Sequence, residues 1–327
     1  MREPSLLETW IQRYEQTASR NRFLLEKFWE LLHGLSQQNI EILPLKGMDL
    51  LLRGCSVPGS RPLSDIDILV REKDLSRIAE VLQARGFLLR PHSRNFLSDS
   101  FVNESFDYIS PDRSLGLDVC WRMRYLDSME TLWNRVGFRQ TLLGTCRLLH
   151  AGDALLYLMT YSLTQRGCFP PFFIQDLQGF LQKEGAQMDW KQWALEVKRC
   201  GMAEIIFCGI SYAREKGLEE IPEEWFTTLQ PRSLIGRFLV GYYSQTARVQ
   251  KTFSSPAYLG IFFGAPGWKK KLELLKNAFF PSASFIELRR GKESAFLRLL
   301  AGVWRPVRIL ARILYFIPRD LIRILRK

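Results

Sequence analysis

One ten-residue segment, Arg61-Pro62-Leu63-Ser64-Asp65-Ile66-Asp67-Ile68-Leu69-Val70, constrains the chain more than any other. Residues 66–70 are apolar and mostly β-branched around the second aspartate, which predicts a strand entered from the turn-rich loop holding Pro58, Gly59 and Pro62. In a strand, residues i and i+2 share a face about 6–7 Å apart, so Asp65 and Asp67 present carboxylates side by side while Ile66 and Ile68 turn to a core. Two adjacent carboxylates repel each other unless a cation lies between them, and clustered oxygen donors suit Mg²⁺. The pair therefore predicts a hard divalent metal. Asp118, in the strand-like Leu117-Asp118-Val119-Cys120-Trp121, is the best placed third carboxylate and would complete a two-metal site.

Upstream, the short apolar run Ile42-Leu43-Pro44-Leu45 ends at Lys46-Gly47, and the helix-like MDLLLRG follows. A glycine at a strand-to-helix turn lets backbone approach a phosphate, the helix N-terminus favours its negative charge, and a lysine reaches the same oxygens. Lys46 and Gly47 are thus candidate triphosphate contacts. Arg61 and Ser64 are further candidates, with loop anchoring and strand capping as their structural alternatives. These parts suit phosphoryl or nucleotidyl transfer, in which positioning and charge neutralisation do most of the catalysis.

Residues 5–39 have helical spacing that predicts one or two helices. Asp74 is expected to cap a helix that runs to about Arg85 and stops at Gly86, and strands are expected near Phe106–Ser110 and Leu115–Trp121 around the turn Pro111-Asp112. A small α/β unit so fills roughly residues 35–140. From Ala151 onward the periodicity is helical, over 154–163, 172–182, 190–199, 203–216 and 234–243. The expected division is 1–145 (N-terminal helices plus catalytic unit), 146–230 (helical) and 231–327 (basic, helical).

The strings LPLKGMDLLLRG, RPLSDIDILV, GLDVCWRM, LLHAGDALLYLMTYS and FFIQDLQGFL resemble the bacterial family of uncharacterised nucleotidyltransferases, within the DNA polymerase beta-like superfamily, over roughly residues 35–225. The resemblance implies an α+β fold: a nucleotidyltransferase-type mixed sheet with flanking helices, followed by a mostly helical region. It also implies Mg²⁺-dependent transfer of a nucleoside monophosphate from an NTP. Asp65 and Asp67 match the metal-binding pair, Asp118 the third carboxylate, and Lys46-Gly47 the glycine motif. Two departures stand out: Lys-Gly replaces the superfamily's usual Gly-Gly or Gly-Ser, and Cys120 stands where the family commonly has a histidine. Histidines common in the helical region are also missing around Tyr157 to Gln165. Asp176 recurs in the family pattern, though a helix-helix salt bridge or cap is the preferred reading of this helical aspartate. A catalytically degenerate binding or regulatory protein is the alternative reading. A DxD glycosyltransferase ranks lower, because such folds place several parallel strands before the motif and only one precedes Asp65 here.

The net charge of +12 is unevenly spread: residues 1–230 carry −3 and residues 231–327 carry +15. In the last segment Arg305, Arg308, Arg312, Arg319, Arg323 and Arg326 share one helical face amid Leu and Ile, a pattern suited to an anionic membrane surface or, equally, to a terminal helix packed on the domain with an ordinary arginine face. Lacking polar spacers and aromatic platforms between the arginines, it makes nucleic acid an improbable partner. The uncharged stretch Thr252–Trp268 is broken by Pro256, Pro266 and three glycines, short of the ~20 apolar residues that a spanning helix needs. The N-terminus lacks the apolar core of a secretory signal, and the six scattered cysteines show neither metal spacing nor a disulfide framework. The expectation is a cytoplasmic protein, with the arginine face allowing a peripheral position at the inner face of the membrane, taking an NTP and a small-molecule, peptide or protein acceptor.

Overall fold

In the computed structural model, which describes residues 5–90, 103–248 apart from 124, 127, 142, 167, 168 and 170, and residues 262, 265 and 267–279, the chain opens with one long helix, α1 (Leu6–Ser36). It starts at a capping box: the Ser5 hydroxyl accepts from the Glu8 backbone N–H while the Glu8 carboxylate accepts from that of Ser5. A single helix therefore fills the segment for which one or two were expected. The helix runs unbroken through Ser19–Arg22, where Asn21 serves a tertiary purpose described below.

Five strands form the main sheet: β1 (Ile42–Pro44), β2 (Asp65–Val70), β3 (Leu88–Leu89), β4 (Asn103–Ile109) and β5 (Gly116–Met123). Their spatial order is β1-β2-β5-β4-β3, with β2 and β5 parallel and every other pair antiparallel. Helix α2 (Lys46–Arg53) joins β1 to the loop before β2, and α3 (Leu75–Ala84) follows β2. Asp74 does not cap α3 with its side chain. A 3-10 turn over Glu72–Asp74 leads into the helix instead, and the Asp74 carboxylate pairs with Arg77 at 3.3 Å. Gly86, at φ 76°, ends the segment as expected.

Alternation along the strands splits the interior in two. Ile66, Ile68, Val70, Leu117, Val119 and Trp121 face α1 and α3, where they meet Leu24, Phe28, Leu35, Ile78 and Leu82. The opposite face contributes Leu69 and Cys120 to a second, larger core shared with the helical half. Both sheet faces are covered, which is why β2 reads as a nearly unbroken apolar run in which the aspartates stand out.

Between sheet and helices come elements that periodicity missed: α4 (Met129–Asn134) and a separate hairpin, β6 (Gly137–Thr141) with β7 (Gly144–Leu148). The helical half consists of α5 (Ala151–Arg166), α6 (Phe173–Glu184), α7 (Trp190–Arg199), α8 (Ala203–Glu215), α9 (Glu223–Leu229) and α10 (Leu234–Arg248), with α11 (Gly267–Phe279) after a gap. Among the described residues no helix is long and apolar enough to cross a membrane. The expectations for the arginine face at 303–327 and for Cys168 lie outside the described residues.

One buried carboxylate makes the packing of α5 pH-dependent. Asp153 is 2.5 Å from the Arg135 guanidinium, which also pairs with Glu196 of α7 at 3.2 Å. Burial pushes Asp153 up to about 6, with Arg135 pulling it down and Glu196 adding to the push. A carboxyl raised on folding contributes most stability when protonated, below about pH 4, and that contribution is lost as pH rises to about 6, a swing of ~3 kcal/mol. Asp153→Asn is therefore expected to flatten the pH dependence of the urea midpoint between about pH 4 and pH 6; slopes identical to wild type would refute it.

Candidate active site

The site forms where β1, β2 and β5 meet α2 and α5. Because β2 and β5 are parallel and in register, Asp67 lies directly beside Asp118, and Asp65 beside Gly116. Neighbouring residues in register share a face, so Asp67 and Asp118 point together toward the helical half. Gly116 leaves room for its neighbour, since an added Cβ would stand 3.3 Å from the Cβ of Asp65.

Lys46 is brought to the same spot by backbone pairing. The Leu45 N–H donates to the Asp67 carbonyl at 2.9 Å, extending the β1–β2 contact to the start of α2. Lys46 follows at φ 53°, a left-handed conformation costing an L-residue ~1–2 kcal/mol. Its Nζ then lies 2.5 Å from Oδ1 of Asp67 and 3.5 Å from Oδ2 of Asp118, with the Tyr161 ring 3.8 Å away. Tyr161 stacks on Tyr157 at 5.9 Å, one turn apart on α5. The helical positions where family histidines are missing thus supply an aromatic wall to the lysine.

The three side chains are largely shielded, with Lys46 11%, Asp67 9% and Asp118 17% exposed. Burial pushes the Asp67 carboxyl up, and the neighbouring Asp65 and Asp118 add to it against the pull of Lys46. Burial also opposes the charge on Lys46, yet Asp67 and then Tyr161, Tyr157 and Asp118 outweigh it and hold the ammonium well above the ordinary lysine range. These tendencies conflict, because a protonated Asp67 would not hold Lys46. The short contact, made by one ammonium between two aspartates, favours the charged pair.

Asp65 sits at the more open edge, where its Oδ1 accepts from the Ser64 hydroxyl at 2.8 Å. Ser64 is exposed and acts here as the cap of its neighbour. Oδ1 of Asp118 is buried and has no hydrogen-bond partner among the described residues. An all-oxygen donor set with an orphaned carboxylate oxygen fits a hard divalent ion. Among the described residues, however, no three carboxylate, imidazole or thiol groups close on one point as a finished metal centre. Asp107 of β4 is opposite Asp118 in the antiparallel register and adds a carboxylate to the same row, Asp67–Asp118–Asp107. Strand alternation alone did not single it out, because only pairing with β5 gives it that neighbour.

Arg61 lies against the start of α2. A Cβ on Gly47 would stand 2.0 Å from its Nη1 and 2.2 Å from Cδ2 of Leu63, so a larger residue here would displace the ends of both side chains. The guanidinium is gripped from behind by Asp176 of α6, whose Oδ1 is 2.7 Å from Nε and whose side chain is 2% exposed. Asp176 is therefore a salt-bridge residue, but its partner is a loop arginine beside the site and not another helix. The loop itself is held by Asn21, fully buried on α1, which donates to the carbonyls of Pro58 and Arg61 at 2.6 and 2.7 Å and accepts from Leu63 N–H at 3.0 Å. A polar residue in an otherwise apolar helix face was the available signal for Asn21. Cys120 is buried beneath the site, and burial pushes its thiol up, away from thiolate chemistry.

The arrangement is a carboxylate row, a lysine at a strand-to-helix junction and an arginine held over the same helix start. A family model described as uncharacterised nucleotidyltransferase matches residues 2–216. No curated protein and no solved structure matches the chain. With two thirds of its length covered and an α+β mixed sheet carrying the aspartates on adjoining strands, the chain belongs to the uncharacterised nucleotidyltransferase family.

Proposed function

We propose that the protein catalyses Mg²⁺-dependent transfer of a nucleoside monophosphate from an NTP to a small-molecule, peptide or protein acceptor. The observation that carries this reading is the in-register pair Asp67–Asp118, with Lys46 touching both and Oδ1 of Asp118 without a hydrogen-bond partner among the described residues. Asp65 and Asp67 would hold the metal, with Asp118 as the third carboxylate beside them; when bound, it would neutralise triphosphate charge and orient the phosphates. The acceptor hydroxyl or amine attacks the α-phosphorus in line, the bond to pyrophosphate breaks, and the acceptor proton passes to Asp118. Arg61 and the start of α2 at Gly47 provide donors for the triphosphate. We further propose a cytoplasmic protein that meets an anionic membrane surface through the arginines between 305 and 326, a reading supported by the sequence pattern alone.

The test is transfer of label from α-labelled NTPs in Mg²⁺ to protein or lysate fractions, comparing wild type with Asp65→Ala plus Asp67→Ala. Labelling lost in the double variant supports the proposal; labelling that persists overturns it. Asp176 should matter through Arg61. Asp176→Asn removes a charged partner worth ~1.5–3 kcal/mol and is expected to weaken NTP binding roughly tenfold or more, with partial recovery in Asp176→Glu. Calorimetric titration with NTP checks this, and unchanged affinity would rule out a positioning role.

A further inference from the structure

We propose that this site takes one divalent cation and that the Lys46 ammonium fills the second cation position, between Asp67 and Asp118. The inference rests on the metal-dependent transfer proposed above and concerns how many ions it uses. In a site of two divalent ions the pair would share Asp67, one of them resting on the third carboxylate as well. Here Nζ of Lys46 already occupies that ground, 2.5 Å from Asp67 and 3.5 Å from Asp118.

Lys46 is not a surface side chain that happens to reach inward. Its backbone is fixed by the Leu45–Asp67 hydrogen bond and by the left-handed turn into α2, and its head is backed by the Tyr161 ring at 3.8 Å. A Mg²⁺ ion binds oxygen at about 2.0–2.1 Å, so an ion on the same two oxygens would lie against the ammonium, unshielded by water. Among the described residues Asp65 forms no ion pair with Lys46, and its Oδ1 accepts from the Ser64 hydroxyl at 2.8 Å, leaving it, with Asp67, to hold the exchangeable ion. That no three carboxylates converge among the described residues fits an ion held by two side chains and completed by phosphate oxygens and water.

The test is Mn²⁺ binding to the full chain, counted from the electron paramagnetic resonance signal of free Mn²⁺. Wild type is expected to hold one ion, lost in Asp65→Asn. Lys46→Met, which keeps the apolar stem and removes the charge, is expected to hold two, the additional one lost in Asp118→Asn. Two ions in wild type, both lost in Asp67→Asn, would overturn the proposal, as would a single ion in Lys46→Met. Should Lys46→Met fail to fold, Lys46→Gln takes its place, and the wild-type count alone remains decisive. A chain with no Mn²⁺ site sensitive to Asp65→Asn or Asp67→Asn would fail this proposal together with the metal-dependent reading, and the absence of any bound ion distinguishes that result from the others.

Discussion

Asp67→Asn is expected to lower nucleotidyl transfer by at least ~10³-fold, since a metal ion contributes several kcal/mol to the stabilisation of developing charge and each 1.36 kcal/mol is a factor of ten. Asp67 is the residue through which the site is connected. It lies between Asp65 on its own strand and Asp118 on the next, touches Lys46 at 2.5 Å, and its carbonyl fixes Leu45 at the start of α2. An amide keeps the shape and the backbone bond but brings no negative charge to either a divalent ion or the ammonium. Lys46 would be left with Asp118 at 3.5 Å, so a fall in thermal midpoint should accompany the loss of activity. Label transfer at saturating NTP and Mg²⁺ measures the first effect and a melting curve the second. Activity within tenfold of wild type would show that the chemistry does not run through Asp67.

The largest expected loss of stability comes from Arg53→Met. Arg53 is fully buried on α2; its Nε donates to both oxygens of Asp49, at 2.9 and 2.8 Å, and its Nη2 to the carbonyl of Leu149 at 2.5 Å. Nη1 faces Glu184 at the end of α6, 3.5 Å away, and Glu184 is also held by Arg139 of β6 at 2.6 Å. The network therefore ties α2, which begins with Lys46 and Gly47, to the connection between β7 and α5, to α6 and to the hairpin. Methionine conserves much of the volume but strands Asp49 and one side of Glu184 away from water. Removing one partner of a buried ion pair costs about 3–5 kcal/mol, enough to lower the thermal midpoint by on the order of 10 °C. Burial already pushes Asp49 up against the pull of Arg53, so without the arginine the cost should shrink as the carboxylate is protonated at low pH. A variant as stable as wild type at neutral pH would show that the network is not what holds α2 in place.

Strand alternation made Asp65 and Asp67 legible, because two carboxylates in an otherwise core-like strand have few structural explanations. The Lys46-Gly47 junction was legible from the change of period at Leu45. Asp118 was identified as a strand aspartate, but that β5 runs parallel to β2 and aligns it with Asp67 depends on a pairing between segments some fifty residues apart. Asn21, Asp107 and the buried set around Arg53 were not legible as functional neighbours. Each depends on a partner that sequence distance hides: Asn21 on a loop, Asp107 on a strand register, Arg53 on Leu149 and Glu184. Asp176 shows the same limit. Its salt bridge was foreseeable, whereas its partner Arg61, 115 positions away, was not.

Local period and side-chain chemistry specify the aspartate strand, the lysine-glycine junction and the concentration of positive charge after residue 230 without reference to the rest of the chain, while the α+β class follows from the family resemblance. That Lys46 lies between two aspartates with a tyrosine behind it, that Arg61 is gripped from α6, and that the site faces the helical half emerges only once the chain is folded. Those are contacts between distant segments, fixed by strand pairing and by the need to pair buried charge.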